Sequence, residues 1–336
     1  MKKLILILLI SLGISLLFTQ CAMKGESVGD EDKIFVFADS LDWVNYKDAL
    51  NTVLGRPYKT PVLEREYLLE WIPFRHFNKF KKYKNILLIG RLDSNEPVST
   101  VVQNILNPEI EAGIRSGKYF YIPKNDVWAI DQYVLILVAT GQSDMIQKIH
   151  DLGDLIYADF RSYYFNRLKK RMFKHMEQVE LEKYIEKHFP FTIRVQHDYF
   201  VADENFEKNY LWLRRLSPDR SILIHWISNP DTVKLTPRWV IEERNKITRK
   251  LYQGDVVVEE ETTAKQTQFL EQPAIRLEGT WRNDSLMVGG PFRSITFKDP
   301  ESGRIYMLDY YVQAVGKRKK PYLDQCEVII RTFRPK

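Results

Sequence analysis

Three runs of apolar residues along the chain predict buried strands. They are Asn85–Arg91 (NILLIGR), Tyr133–Thr140 (YVLILVAT) and Ser221–Ile227 (SILIHWI). A fourth strand is predicted at Lys33–Asp39 (KIFVFAD), where β-branched and aromatic residues predominate. Apolar residues at helical spacing predict three helices in the first half of the chain. These begin at Asp39 or Ser40, at Pro97 and at Ser143.

The second half of the chain has the same plan. The strand at Ser221–Ile227 precedes a polar loop and a helix that begins at Thr236-Pro237, as the strand at Asn85–Arg91 precedes the helix at Pro97. Further strands are predicted after this helix, at Ala274–Trp281, Ser294–Lys298 and Ile305–Val315.

These patterns predict an α+β fold of two tandem modules, each a mostly antiparallel sheet with helices packed on one face. The N-terminal module would span residues 33–175 and the C-terminal module residues 176–336. The length of 336 residues fits two domains. Two segments are less regular: Val256–Gln266 is predicted to be an acidic, Thr-rich surface segment, and Pro321–Phe333 suits either a helix or a strand.

The first 21 residues have the parts of an export signal. Lys2 and Lys3 precede a fifteen-residue apolar run, Leu4–Phe18, and a polar stretch comes after Cys21. The run is shorter than the roughly 20 residues of a membrane-spanning helix. Cys21 lies where a lipoprotein signal keeps its acceptor cysteine. We therefore interpret residues 1–21 as a lipoprotein signal peptide and residues 22–32 as a flexible tether.

Two residues depart from the usual lipoprotein pattern, which has Leu three residues before the cysteine and a small residue next to it. Phe18 and Gln20 stand at these places. An ordinary secretory signal and an uncleaved anchor are the alternatives. The lipoprotein interpretation predicts a protein of the cell envelope, held by an N-terminal lipid at the periplasmic face or the outer membrane.

Charge and cysteine content change this picture little. The 50 Lys and Arg against 44 Asp and Glu give a net charge of +6, and +4 once Lys2 and Lys3 are removed. The basic residues are interspersed with acidic ones, so no nucleic-acid partner is predicted. The basic run Lys79–Lys84 is interpreted as a solvated surface, with contact to anionic lipid as the alternative. If Cys21 carries lipid, Cys326 has no disulfide partner.

No arrangement of chemically active residues in the sequence identifies a reaction. The six histidines form no HExxH pair and no Cys/His set with zinc-site spacing, and GxSxG, P-loop and GxGxxG motifs are absent. We therefore predict no metal and no cofactor, and the catalytic residues, if there are any, stay unknown. His150 and Asp154 are interpreted as an exposed pair, and His225 as a core histidine.

The most distinctive stretch is Gly279-Thr-Trp281, with Gly289-Gly290-Pro291 shortly after it. Paired glycines permit positive φ and the close approach of another backbone, and Pro291 stiffens the chain where it leaves the glycines. Trp281, Gly289, Gly290 and Pro291 are therefore a ligand shelf or a tight corner between two strands with Trp281 in the core. An aromatic shelf would suit a sugar or a peptide.

The same stretch resembles an uncharacterised family of lipoproteins from Bacteroidetes-type bacteria, domain of unknown function 4837. The landmarks that carry the resemblance are Gly279-x-Trp281, Gly289–Phe292, Tyr310–Ala314, Asn125–Ala129 and Tyr210–Arg215. They occur in order over most of residues 33–334. The resemblance implies an exported, lipid-anchored protein, and it brings no known activity or catalytic residue.

We hypothesise that the chain is a lipid-anchored binding or assembly module of the cell envelope, with an envelope protein or a glycan as partner. The alternative is an envelope hydrolase acting on glycan, peptide or lipid. It would need acidic residues such as Asp126, Asp131 and Glu278 to converge near Gly289-Gly290.

The lipid anchor makes a prediction about mass. Expressed with its own leader, the wild-type protein should gain the mass of a diacylglyceryl group and enter the detergent phase, because Cys21 becomes the acylated first residue. Cys21→Ser should do neither. Intact mass spectrometry and phase partitioning measure both, and a wild-type protein that loses its leader without gaining lipid would contradict the anchor.

Overall fold

A computed structural model describes residues 24–228 and 233–336, so the predicted signal peptide and Cys21 lie outside the described residues. The strands are β1 (Lys33–Phe37), β2 (Pro57–Tyr58), β3 (Glu64–Arg65), β4 (Leu68–Trp71), β5 (Asn85–Arg91), β6 (Tyr121–Asn125), β7 (Tyr133–Ala139), β8 (Phe191–Thr192), β9 (Phe200–Asn205), β10 (Tyr210–Arg215), β11 (Asp219–Ile227), β12 (Val256–Phe269), β13 (Gln272–Asn283), β14 (Val288–Asp299), β15 (Arg304–Gln313) and β16 (Arg334–Pro335). The α-helices are α1 (Ser40–Val53), α2 (Phe77–Phe80), α3 (Pro97–Asn104), α4 (Pro108–Arg115), α5 (Gln142–Asp151), α6 (Gly153–Met172), α7 (Val179–His188), α8 (Pro237–Leu251) and α9 (Lys320–Ile330).

The chain divides into two compact units, and this division differs from the predicted boundary at residue 175. The first unit comprises the residues up to Leu50 and Leu69–Gly153, and the second comprises Asn51–Leu68 and Asp154–Lys336. Residues 51–68 belong to the second unit because they pack on helix α6. The Tyr67 ring lies 5.9 Å from that of Phe160 and 6.2 Å from that of Tyr164.

The first unit holds a five-stranded sheet in the order β4-β1-β5-β7-β6. The α+β class is confirmed, but the pairing in this unit differs from the expected antiparallel one. β5 pairs in parallel with both β1 and β7, and β6 pairs with β7 in antiparallel fashion. The connections into β5 and β7 contain helices, which lets each chain segment return to the same end of the sheet.

Both faces of the parallel part of this sheet are buried. The sequence had instead predicted that helices pack on one face only. Leu88 and Val138 pack with Val98 and Val102 of α3 on one face. Leu87, the neighbour of Leu88 that points to the opposite face, is completely buried too. Unbroken apolar runs such as NILLIGR are the sequence pattern of strands covered on both sides.

Residues 24–32, predicted to be a flexible tether, are bonded to the first unit. The backbone N–H of Ser27 donates to the carbonyl of Ile130, and that of Val28 donates to the carbonyl of Lys82. Asp32 is buried. Backbone bonds of this kind do not depend on side-chain polarity, so a polar composition alone did not reveal them.

The second unit is built on a seven-stranded antiparallel sheet in the order β12-β13-β14-β15-β11-β10-β9. Helix α8 packs on one face, where Val240 joins a core cluster with Leu277 and Met307. Helix α9 lies on the other face, where Glu327 bonds to Arg276 of β13. This sheet therefore has the expected antiparallel pairing, but helices cover both of its faces.

Helix α1 begins at Ser40, as the prediction of a start at Asp39 or Ser40 had it, and the Asp39 carbonyl accepts from the N–H of Trp43 at 2.9 Å. The Asp39 carboxylate caps a different helix, α3. Oδ1 accepts a hydrogen bond from the backbone N–H of Val98 at 2.8 Å, and Oδ2 accepts from the N–H and the hydroxyl of Ser99 at 3.0 and 2.8 Å. The residue at the N-cap position itself, Glu96, makes no side-chain capping bond. Asp39 therefore joins the end of β1 to the start of α3.

We predict that Asp39→Ala lowers the free energy of unfolding of the first unit by about 1–3 kcal/mol, because two buried N–H groups lose their acceptors. Urea denaturation monitored by circular dichroism measures the loss. Glu109→Ala is the matched control, since Glu109 also lies in the first turn of a helix. Equal stability of the two variants would show that the Asp39 cap contributes nothing.

Candidate ligand-binding site

Trp281 and the two glycines lie in paired strands rather than in a turn. Trp281 of β13 is opposite Gly290 of β14, and Pro291 is opposite Thr280. A Cβ atom at Gly290 would lie 2.3 Å from the carbonyl oxygen of Val312. Gly290 is therefore explained by the close approach of the neighbouring strand, and the left-handed residue of the connecting turn is Met287, with φ of 54°.

Trp281 is only 2% exposed, yet its indole lines a cavity of about 190 Å³ in the second unit. Three other aromatic side chains continue the wall. The ring centroids of Trp281 and Tyr311 are 4.8 Å apart, those of Tyr311 and Tyr252 are 5.3 Å apart, and those of Tyr252 and Trp212 are 4.8 Å apart. We call Trp212, Tyr252, Trp281 and Tyr311 the aromatic wall.

Four different elements position this wall. Trp212, Trp281 and Tyr311 come from β10, β13 and β15, and alternation along the strands directs them to the same face of the sheet. Tyr252 comes immediately after helix α8. The Ser221 hydroxyl lies 2.8 Å from both the Trp212 Nε1 and the Tyr252 hydroxyl, which fixes two of the rings.

Polar groups complete the cavity. Asp255, Gln253 and Gln313 lie along it, together with the ion pair between Arg214 and Asp219, whose two N–O distances are both 2.9 Å. The Nε1–H of Trp281 is buried and has no hydrogen-bond partner in the described part of the chain. An unpartnered buried donor is costly, and this one lies close to Gly290 of the neighbouring strand.

Burial raises the pKa of Asp255 to about 6, although a hydrogen bond of 2.8 Å from the Asn283 amide opposes the shift. Asp255 therefore changes charge close to neutral pH. Burial also raises the pKa values of Tyr252 and Tyr311, so both keep their hydroxyl protons at neutral pH. The lining of the cavity includes tyrosine hydroxyl groups and a carboxylate.

A second cavity, of about 430 Å³, contains a histidine and a carboxylate. The Nδ1 of His225 lies 2.7 Å from the carbonyl oxygen of Asn209, and its Nε2 lies 3.5 Å from Oε1 of Glu243. The His225 ring and the Lys246 ammonium lower the pKa of Glu243, while burial opposes them. The Nδ1 of His225 is thus occupied by a backbone carbonyl, and its Nε2 lies close to Glu243 without a hydrogen bond among the described residues.

The acidic residues of the hydrolase hypothesis have separate structural roles. Asp126 and Asp131 belong to the first unit, have positive φ and shape one turn, in which Asp126 accepts from the N–H of Gln132. Glu278 belongs to the second unit and forms ion pairs with Arg276 and Arg293 at 2.8 and 3.6 Å.

Other residues singled out in the sequence show no common site. Asp154 pairs with Arg56 at 2.6 Å. Cys326 is buried, and burial raises the pKa of its thiol to about 11, so it stays protonated. Within residues 24–228 and 233–336, no group of three or more His, Cys, Asp and Glu side chains is arranged to hold a metal ion.

These observations define a two-unit α+β protein with a small aromatic cavity on its antiparallel sheet. Residues 178–332 match the family model described as Domain of unknown function (DUF4837), and residues 27–173 match Domain of unknown function (DUF8532). The resemblance to domain of unknown function 4837 is thus confirmed for residues 178–332. The aromatic wall lies entirely within that domain, whereas the landmark Asn125–Ala129 lies in the residues of the DUF8532 match.

Comparison with other proteins adds distant similarities only. A protein from Bacteroides thetaiotaomicron is 9% identical with a TM-score of 0.29, over 44% of this chain and 45% of its own. LpqN of Mycobacterium tuberculosis, involved in cell envelope biogenesis, is 14% identical with a TM-score of 0.28, over 43% and 81%. The Saccharomyces cerevisiae Ran-binding protein Mog1p is 11% identical with a TM-score of 0.29, over 44% and 90%. No curated protein matches the chain.

The raised pKa of Asp255 predicts a pH-dependent effect on stability. Below about pH 4 the residue is protonated in both the folded and the unfolded state, and above about pH 6 it is ionised in both. The folded state therefore loses stability as the pH rises through this interval. Asp255→Asn should remove that loss, so the variant should gain roughly 1–2 kcal/mol over wild type at pH 7 and almost nothing at pH 4.

Denaturant unfolding at several pH values measures this difference. Asp284→Asn is the control, because Asp284 follows Asn283, the hydrogen-bond partner of Asp255, and is well exposed, and it should show no such trend. A gain for Asp255→Asn that is the same at pH 4 and pH 7 would contradict the assignment.

Proposed function

We propose that the protein is a lipid-anchored binding module of the cell envelope, and that its aromatic cavity binds a small hydroxyl-rich ligand such as one sugar residue of an envelope glycan. The single observation that carries the binding proposal is the cavity of about 190 Å³ that the aromatic wall lines together with Asp255, Gln253 and Gln313.

The chemistry of the cavity supports a sugar over an apolar ligand. Aromatic rings offer flat apolar surfaces to the C–H faces of a sugar, while Asp255, Gln253 and Gln313 offer hydrogen-bonding partners to its hydroxyl groups. The volume of about 190 Å³ is below the roughly 300–1,000 Å³ typical of pockets for drug-sized ligands. A single ring is therefore a better fit than a long chain.

The anchor rests on the sequence of the leader. A basic start, a short apolar run and Cys21 are the features of a lipoprotein signal. Among the described residues, no helix has the length and apolar character needed to cross a bilayer. A lipid on Cys21 would then connect the two units to a membrane outside the cytoplasm.

The envelope hydrolase is the alternative, and it would require a group that can accept a proton from water or substrate. In a catalytic carboxylate–histidine pair, one ring nitrogen faces the carboxylate and the other faces the substrate. The second nitrogen of His225 instead faces the carbonyl of Asn209 at 2.7 Å. The geometry therefore favours binding as the function of the second unit.

The proposal predicts that wild-type protein binds N-acetylglucosamine or its short oligomers and that blocking the cavity abolishes binding. Leu286 lines the cavity and is 54% exposed, so Leu286→Trp should fill the mouth without disturbing the core. We expect affinity to fall by about tenfold or more, since the ring would exclude the ligand. Saturation-transfer NMR detects the bound sugar.

Leu216→Trp is the matched control, because Leu216 is also 54% exposed and does not line the cavity. Thermal unfolding of both variants checks that the fold is intact. Unchanged binding by Leu286→Trp would show that the sugar binds outside the aromatic cavity. Wild-type protein that binds none of these sugars would contradict the proposal of a glycan ligand.

A further inference from the structure

A third cavity of the second unit, of about 400 Å³, is lined by positive charge. Arg171 of α6, Arg215 of β10, Arg220 of β11 and Lys317, which precedes α9, all line it. We call these four residues and their cavity the basic pocket. No Asp or Glu in the described ranges lines it, and the other polar groups include the neutral side chains of Gln196 and Gln325.

Arg220 is the central residue of the basic pocket because its charge has no counter-ion. It is 3% exposed, and its guanidinium donates to the carbonyl of Pro218 at 3.3 Å and to Oε1 of Gln325. The ring of Tyr322 lies 5.0 Å from the guanidinium carbon. None of these partners is charged, and no carboxylate in the described part of the chain pairs with Arg220. A buried guanidinium without a carboxylate is an expensive arrangement.

Arg215 adds to this excess of charge. It is directly opposite Arg220 in the β10–β11 pair, and like charges in such positions repel each other. Its own partners are Oε1 of Gln196 at 3.1 Å and the exposed carboxylate of Asp198 at 3.3 Å. Burial and, after it, the charge of Arg220 lower the pKa of Arg215, and the nearby Asp198 opposes the shift.

We propose that the basic pocket is a binding site for a phosphate group carried as a monoester or as free phosphate. Arginine side chains present paired N–H donors that match phosphate oxygens, and Lys317 adds a flexible third cation at the rim. A doubly charged phosphate compensates Arg215 and Arg220 together, which a singly charged carboxylate does not. The site is separate from the aromatic cavity and does not depend on the sugar proposal.

The phosphate could belong to a soluble compound or to a lipid headgroup, and two titrations distinguish these sources. In the first, inorganic phosphate is added to the full-length protein at constant ionic strength, with chloride as the reference, and thermal unfolding is monitored. In the second, the protein is mixed with phosphatidylcholine vesicles containing either phosphatidic acid, a phosphomonoester, or phosphatidylglycerol, a diester, and sedimentation measures binding.

Arg220→Met distinguishes a ligand site from a structural arginine. In phosphate-free buffer the variant should unfold at the same temperature as wild type or higher, because an uncompensated buried charge is replaced by an apolar side chain. Its affinity for phosphate should fall about tenfold or more, since charge-assisted bonds are lost. If Arg220 were a structural arginine, Arg220→Met would instead unfold at a lower temperature than wild type in phosphate-free buffer.

Lys317→Gln tests the same pocket at an exposed position that the fold does not need, and it should weaken binding severalfold. Arg249→Met, a change of an exposed arginine on α8, is the control and should leave binding unchanged. If Arg220→Met does not fold, the comparison of phosphate binding by Lys317→Gln with that by Arg249→Met tests the proposal. Selective binding of phosphatidic acid with no response to dissolved phosphate would assign a lipid headgroup, and a response to dissolved phosphate would assign a soluble ligand.

Two results would overturn the proposal. One is a wild-type protein that responds neither to phosphate beyond chloride nor to phosphatidic acid beyond phosphatidylglycerol. The other is a phosphate response that both Arg220→Met and Lys317→Gln retain in full, which would place the anion elsewhere on the surface.

Discussion

The second unit depends on two carboxylates, Asp324 and Glu327, that helix α9 buries completely. Burial alone would raise the pKa of Glu327, but the guanidinium of Arg276 at 2.8 Å lowers it, so the residue is ionised in the fold. A buried carboxylate that loses its partner costs roughly 3–5 kcal/mol, so the partners must all be in place for α9 to dock. Lys320 lies on α9 itself, one turn before Asp324, and the other partners come from distant parts of the chain: Tyr58, Tyr164, Arg276 and Tyr310. The short segment 57–67, helix α6, the sheet and α9 are therefore held as one unit.

This ionic cluster also orients the candidate ligand site. Tyr310 and Tyr311 are neighbours in β15, and neighbours in a strand point to opposite faces of the sheet. Tyr310 bonds to Glu327 on the face of α9, so Tyr311 must face α8, where it stacks beside Trp281. Arg276 and Leu277 are neighbours in β13 in the same way: Arg276 bonds to Glu327 on the face of α9, and Leu277 joins the core cluster on the face of α8. The register that satisfies the buried charges on one face thus sets the aromatic wall on the other.

The sequence was sufficient to predict the apolar strands and the division into two units. It was not sufficient where the structure depends on which distant segments pair with each other. The runs NILLIGR and YVLILVA show that β5 and β7 are buried, but not that they pair in parallel, because pairing depends on the crossover between them. The segment Val256–Gln266 was expected to be a surface segment, and its side chains are mostly exposed, but it also forms most of β12 at the edge of a sheet. Helix α9 was ambiguous because its buried Lys320, Asp324 and Glu327 hide the amphipathic pattern.

The candidate sites were also only partly predictable. A sequence shows which single residues are unusual, but it does not show which distant residues come together in the fold. Trp281 and Gly290 stood out in the sequence, whereas Asp255 and Arg220 gave no local signal. Each of the two sites contains a buried polar or charged group that lacks its usual partner among the described residues, as do a few other side chains such as Ser294 and Thr296. The Trp212 indole N–H has the Ser221 hydroxyl as partner, and the Trp281 N–H in the same wall has none among the described residues. The buried guanidinium of Arg244 faces Asp309 at 2.7 Å and that of Arg293 lies 3.6 Å from Glu278, whereas that of Arg220 faces no carboxylate in the described part of the chain. An unpaired buried arginine carries a cost in stability, and a ligand that supplies the missing charge would account for that cost.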